Sequence, residues 1–367
     1  MKTETWKYTN IKKWLERDYQ TIDSYAPIID YNELPEGVII CSLADASKQA
    51  DIPSPYPLPQ ALEGKLKEQG FFIYIPKNVV LKKPIYISDI AAQLNDPTVL
   101  PARFHILLEA NSVATIVHKF EANDANHYWR RQVTEINLAP NAQLNYYQDQ
   151  NEAPTSLHTH YIAVQQGRDS QFNSFTLDNG GGIVRTDLHT KLHDVNATCH
   201  LNGLYLVKNK QHVDNHTIIE HLAPHTQSSE HYKGIVADQA RAVFNGRIYV
   251  APHAQKVVSE QHNENLLLSK QAEIDTKPEL EIYADDVQCA HGATVGQLDR
   301  DAIFYMTTRG IDEELAKQLL TYGFAHEMIN IIDNDEIKEL FNTQLLHWFG
   351  NSQIEECRLA SLKPTYP

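Results

Sequence analysis

The chain has 367 residues, 42% of them hydrophobic, which is enough to bury a core without disulfide support. Its formal charge is −15, from 47 acidic and 32 basic residues, a balance that excludes a protein tracking nucleic-acid phosphates and suits protein partners. The four cysteines, Cys41, Cys199, Cys289 and Cys357, lie far apart and read as thiols, not as a disulfide framework.

Met1 to Tyr25 is charged and helix-like, without the apolar core of a signal peptide. Apolar runs such as Phe71 to Ile75 are too short to span a bilayer, so a cytoplasmic protein with no membrane partner is expected. Three regions differ in texture: an N-terminal helical or mixed region over 1–95, a β-rich core over 96–297 and a helical region over 298–367. In the first, Ile11, Trp14, Leu15 and Tyr19 fall at helical spacing and predict a helix from Trp6 to Ala26. Pro53, Pro55, Pro57 and Pro59 read as an extended connector. A short helix is expected over Ala61 to Gln69, stopped by Gly70, followed by strands over Phe71 to Ile75 and Val79 to Ile87.

The middle region carries short β-branched or alternating runs, among them Phe104 to Leu108, Gln132 to Leu138, Gly203 to Val207 and Glu279 to Tyr283. Turn-prone clusters such as Pro140-Asn141 and Asn245-Gly246 separate them. From Ala197 onward a strand begins about every 10–15 residues, which suits a sandwich, a barrel or a solenoid of stacked β-coils. Asn202, Asn245, Asn263 and Asn265 read as polar ladders and lean towards the solenoid, which stacks like over like without exact repeats. In the last region Asp312 is a good helix N-cap, followed by Glu313 and Glu314 in the first turn. Leu315, Leu319, Leu320 and Phe324 form an apolar stripe. A second helix, opening around Asp333 to Asp335, carries Ile337, Leu340, Phe341, Leu345 and Trp348 on one face. The stripes either bury each other or form a docking surface.

The motifs that are missing narrow the chemistry. The chain has no phosphate-binding G-x-x-x-x-G-K-[ST] loop, no G-x-S-x-G elbow, no H-E-x-x-H and no C-x-x-C pair. The run Asn179-Gly180-Gly181-Gly182 reads as a loop. Histidines number 18, mostly between His158 and His291. On a strand, His189 and His193 stand about 13 Å apart and cannot share one ion; His212, His216 and His221 meet the same obstacle. His158 and His160, at i and i+2, point the same way about 6.6 Å apart. So do Cys289 and His291, in Cys289-Ala290-His291-Gly292. Thiolate and imidazole are ligands that iron–sulfur chemistry selects, but two ligands cannot hold a cluster alone. Either a second chain completes the set, or the pair is a packed cysteine beside a hydrogen-bonded histidine.

At these residues the chain resembles the SufB/SufD family of the SUF iron–sulfur cluster assembly system. The resemblance rests on Val213-Asp-Asn-His-Thr, Ala223-Pro-His-Thr, Tyr232-Lys-Gly, Val243-Phe-Asn-Gly and Gln261-His-Asn-Glu-Asn-Leu-Leu-Leu-Ser. It continues through Pro278-Glu-Leu-Glu-Ile-Tyr-Ala-Asp-Asp-Val-Gln-Cys-Ala-His-Gly-Ala and Phe304-Tyr-Met-Thr-Thr-Arg-Gly-Ile. It runs from about 70 to 330, and Cys289-Ala-His-Gly-Ala is similar to the SufD branch of the family, not to SufB. The resemblance implies a right-handed parallel β-helix flanked by helices. It implies a scaffold subunit, not an enzyme, that pairs with a SufB-like paralogue through the β-helices and binds a SufC ATPase through the C-terminal helices. His291 and Cys289 are then the residues that contribute to a transient cluster shared between the chains. Leu315, Leu319, Leu320, Tyr322 and Phe324 are the candidate ATPase-docking residues. Reduced flavin in the complex and a homodimer of the isolated chain are further implications. The competing readings are a β-helical carbohydrate-active enzyme and a cupin-like metalloenzyme using His158, His160 and a distant histidine.

Overall fold

The computed structural model describes residues 6–21, 27–31, 33–46, 70–92, 94, 97–123, 127–350 and 354. The proline run over 53–59, the helix expected over 61–69 and Cys357 lie outside them.

From Gly70 the chain winds as a two-sided coil, each strand crossing to the opposite sheet from the one before. One sheet stacks Gly70–Ile75, Thr98–Leu108, Tyr128–Leu138, Leu157–Gln166, Ile183–Leu192, His212–His221, Arg241–Val250 and Glu273–Ile282. The other stacks Ile85–Ala91, Val113–Ala122, Gln143–Asn151, Gln171–Asp178, Thr198–Val207, Gln227–Val236, Val258–Leu267 and Gln288–Gly296. Every neighbouring pair within these two sets is parallel, so the protein is mainly β, with a β-helix as its core. Residues that meet across the ladder are 26 to 33 positions apart in sequence. This drift in coil length is why no exact repeat is visible.

Alternation builds the coil. In Ile183–Leu192, Val184, Leu188 and Leu192 are buried in the interior with Thr186 and Thr190 between them. Interior aliphatic and aromatic side chains of both sheets merge into one core running from Ile73 to Ala284. The corners are set by residues with positive φ, including Asn78, Asn111, Asn141, Asp169 and Asn196, types that tolerate the left-handed region. Their side chains bond from coil to coil. Asn111 Nδ2 donates to Asn78 Oδ1 at 2.8 Å, Asn141 Nδ2 to Asn111 Oδ1 at 2.9 Å, and Asn196 Nδ2 to Asp169 Oδ1 at 3.0 Å. The ladder expected from Asn202, Asn245, Asn263 and Asn265 does not form. Asn202 lies opposite Phe175 and His231, Asn245 is on the other sheet, and Asn265 Nδ2 bonds Asn263 Oδ1 on its own strand.

At the start of the coil two short antiparallel strands end the sheets: Ile39–Ser42 pairs with Gly70–Ile75, and Ile28–Asp30 with Ile85–Ala91. Of the helix expected from Trp6 to Ala26, the described residues 6–21 form one turn, α1 (Lys12–Leu15), with a strand at Gln20–Thr21. Tertiary contacts override the helical spacing. Trp6 lies under the Arg185 guanidinium at 4.2 Å, and the Thr9 hydroxyl bonds both Asp214 and His212, strapping this segment across the outside of the solenoid. A second short helix, α2 (Leu43–Ala46), follows.

Beyond the last strand come α3 (Arg300–Thr307), α4 (Glu313–Ile329) and α5 (Asp335–Phe349). Asp312 caps α4 as expected, accepting from Glu314 N and Leu315 N, and Asn334 caps α5. Among the described residues no helix is long and apolar enough to cross a membrane. The apolar faces of α4 and α5 lie against the outside of the second sheet: Ala325, Met328, Ile329, Ile337, Phe341 and Leu345 pack on Val117, Phe175, Leu177, Leu204, Leu206 and Ile235. α5 therefore buries its expected stripe against the solenoid, whereas α4 turns Ala325, Met328 and Ile329 to it and leaves Leu315, Leu319 and Leu320 outside that core.

Candidate functional site

The last strand, Gln288–Gly296, pairs with Val258–Leu267 on one side, and among the described residues nothing pairs with its other edge. Register decides where its side chains go. Cys289 lies opposite Ser259, His291 opposite Gln261, Ala293 opposite Asn263 and Val295 opposite Asn265. All four of those partners are buried inside the coil, so Cys289 and His291 face the interior of the terminal turn. With no further coil above them they stand at the mouth of the solenoid, Cys289 half-buried and His291 exposed. Ile274, Leu280 and Val287 pack around the same end of the core as Cys289. Burial raises the Cys289 thiol above its ordinary value, so it becomes a thiolate only when something displaces the proton. Among the described residues no three His, Cys, Asp or Glu side chains converge so as to hold a metal ion. The pair is one thiol and one imidazole at an open edge.

Behind it runs a polar interior. Below Cys289, Ser259 Oγ bonds Ser228 Oγ at 2.7 Å, and Ser228 Oγ meets His221 Nε2 at 2.9 Å. Below His291, Gln261 Nε2 donates to Glu230 Oε2 at 2.6 Å. Burial pushes the Glu230 carboxyl up to about 7 against hydrogen bonds from Thr217 and Gln261 that draw it down.

Several of the other histidines already have protein neighbours. His189 Nε2 sits 3.0 Å from Glu220, His216 Nε2 2.9 Å from Asp214, and His221 bridges Thr226 and Ser228. His158 and His160 do point the same way, into the sealed interior, where His158 bonds Glu152, and His160 bonds Gln148 and Thr134. They belong to a fully buried ionic cluster that sequence reasoning missed. Arg130 lies between Asp89 and Glu152, with His118 beside Asp89. Burial raises the Glu152 carboxyl, but Arg130 and His158 more than reverse this and hold it below the usual carboxylate range. Burial also raises Asp89 and lowers His118 and His160. The only available signal was a charged residue at an inward strand position, and inward positions cannot be assigned before the register is known.

The candidate docking residues divide. Tyr322 and Phe324 are partly packed against the helix–sheet core: Tyr322 donates its hydroxyl to Asn342 Oδ1 at 2.8 Å, and Phe324 takes the Lys233 ammonium at 4.5 Å. Leu315, Leu319 and Leu320 are half-buried and lie outside that core. Phe304 and Tyr305 on α3 are the most exposed aromatic residues of the helical layer, at 69% and 57%. Phe304 borders a cleft of about 830 Å³ between α3, α4 and the end of Val258–Leu267.

A two-sheet parallel solenoid with helices on one flank, and a thiol and an imidazole on its open terminal strand, defines the class: a β-helix protein. Comparison with known proteins is specific. Residues 90–324 match the family model of the SUF system FeS cluster assembly SufBD core domain. The chain is 32% identical over 365 residues to the iron–sulfur cluster assembly protein SufD of Escherichia coli, covering 92% of this chain and 86% of that protein. It is 26% identical over 283 residues to SufD of Bacillus subtilis, covering 76% and 64%. A Synechocystis SufBD family protein is 32% identical over 268 residues, covering 71% and 59%. The chain belongs to the SufBD family of the SUF system and has a role in iron–sulfur cluster assembly.

Proposed function

We propose that this chain is a SufD-like scaffold subunit that completes a nascent iron–sulfur cluster site only when a SufB-like paralogue docks on the mouth of its solenoid. The observation that carries this reading is the placement of Cys289 and His291 side by side, facing inward, on a terminal strand with a free edge. Unpaired backbone groups on such an edge are a template for another strand. Two ligands leave positions for a partner to fill. His291 supplies an imidazole nitrogen. Cys289 supplies sulfur once its proton is displaced.

In the same reading a SufC-type ATPase docks on the C-terminal helical layer, with Leu315, Leu319 and Leu320, beside Tyr322 and Phe324, as its contact. Movement of the ATPase then works on the solenoid interface, because α4 and α5 are packed directly on the sheet that ends in the site strand. The subunit itself carries out no hydrolysis. Reduced flavin, which the family resemblance attaches to the complex, is assigned to no residue of this chain.

The test is His291→Ala in the co-expressed complex. The expected result is an intact assembly with reduced iron and a weakened cluster absorption after purification. Full cluster loading by the variant would sink the assignment. Stoichiometric, tightly held metal on the isolated wild-type chain would favour a self-contained metalloenzyme instead.

A further inference from the structure

We infer that Gln261, held by Glu230, is a positioning residue for His291 that selects which ring nitrogen carries the proton. This deepens the proposed function and rests on His291 being a ligand.

Four polar side chains of Val258–Leu267 face the interior: Ser259, Gln261, Asn263 and Asn265. Three are fully engaged. Ser259 bonds Ser228, Asn263 donates to the Tyr205 hydroxyl and to Tyr232 O, and Asn265 accepts from the Tyr205 hydroxyl and donates to Asn263 Oδ1 and Thr294 O. Gln261 is different. Its Nε2 is committed to Glu230, while its Oε1 is buried with no hydrogen-bond partner among the described residues. A buried acceptor without a partner is costly, and an amide whose nitrogen is fixed turns its oxygen away from the group that holds it. Glu230 lies on the strand on one side of Gln261, and the residue in register on the other side is His291. Neighbouring strands are about 4.8 Å apart, within reach of an imidazole N–H.

The opposite sheet makes room for this arrangement. A Cβ at Gly246 would overlap Gln261 Nε2 and come within 2.9 Å of Glu230 Oε2. That explains the glycine of Val243-Phe-Asn-Gly, on the opposite sheet, and the glutamine that opens Gln261-His-Asn-Glu-Asn, directly beneath His291. With one imidazole N–H donated to Gln261 Oε1, the other nitrogen carries its lone pair outward, the form a ligand histidine must present.

The experiment is nitrogen NMR of histidine-labelled full-length chain without partner or metal, at alkaline pH where imidazoles are neutral. Wild type is expected to show His291 as one tautomer, in excess by about tenfold, the worth of one hydrogen bond. Gln261→Leu is expected to return the ratio towards that of free histidine, with unchanged circular dichroism. Glu230→Gln, which keeps the volume but loosens the amide, is expected to fall between them. An averaged tautomer mixture for His291 in wild type overturns the inference without any variant, and so does a single tautomer that survives in Gln261→Leu. The outcomes separate from those of the parent reading. A locked tautomer with full iron loading in His291→Ala leaves the Gln261–His291 hydrogen bond standing and removes the ligand role that gives it its purpose. An averaged tautomer with iron lost in His291→Ala does the reverse.

Discussion

Glu230 shows how burial couples the interior to pH. Its folded-state value of about 7 lies above the ordinary 4.5, so the folded chain binds the proton more tightly than the unfolded chain. Stability from this group is therefore lost as pH rises from about 4.5 to about 7, by about 3 kcal/mol in all. Glu230→Gln removes that titration. Its stability relative to wild type in urea unfolding is expected to grow between pH 5 and pH 8. A difference that is flat across that window would show that the carboxyl is not desolvated. His105 and His221, held down to about 4 by burial, act in the opposite direction and cost stability as pH falls from 6.5 towards 4. The residue types of the site were legible in the sequence: Cys289 and His291 stand at strand spacing beside a glycine. Their inward direction was not, because facing is fixed by register with Ser259 and Gln261, thirty residues earlier.

At the scale of elements, the coil corners do the work that exact repeats do in other solenoids. Asn111 has φ 61°, donates to Asn78 and accepts from Asn141. Asn111→Ala is expected to cost about 1–2 kcal/mol from left-handed backbone strain together with the lost ladder bonds. Asn111→Gly relieves the strain and isolates the ladder bonds, at about 0.5–1 kcal/mol. Urea midpoints of the two variants check both figures, and an Asn111→Gly midpoint equal to that of wild type would show that the ladder contributes nothing. Most strands were readable from β-branched runs and turn clusters, although the one expected over Val79 to Ile87 begins only at Ile85, and the cap of α4 was readable from Asp312. What the helices cover was not readable. The stripe through Phe341 and Leu345 says only that something apolar lies opposite, and that something is Phe175 and Leu204, far away in sequence. The Arg130 cluster was hidden for a similar reason: its partners lie 41 residues before it, at Asp89, and 22 after it, at Glu152.

For the whole molecule the terminal edge is the feature that matters. Gln288 N donates to Val257 O, and alternate residues of a parallel strand bond the same neighbour, so the backbone groups of Cys289, His291, Ala293 and Val295 face the open edge. Val295→Pro removes one of those donors and leaves the existing ladder to Val258–Leu267 untouched. The isolated chain is expected to keep its melting temperature within a few degrees, while recovery of the SufB-like paralogue in a pull-down falls severalfold. Unchanged recovery would mean that the partner does not approach along this edge.

The two ends of the coil are not alike. One finishes in short strands running against the grain, Ile28–Asp30 and Ile39–Ser42, and the other in a full-length strand whose outer edge pairs with no other strand among the described residues. If a partner docks along that single edge, one copy fills it and growth stops at a pair of subunits, not a fibre.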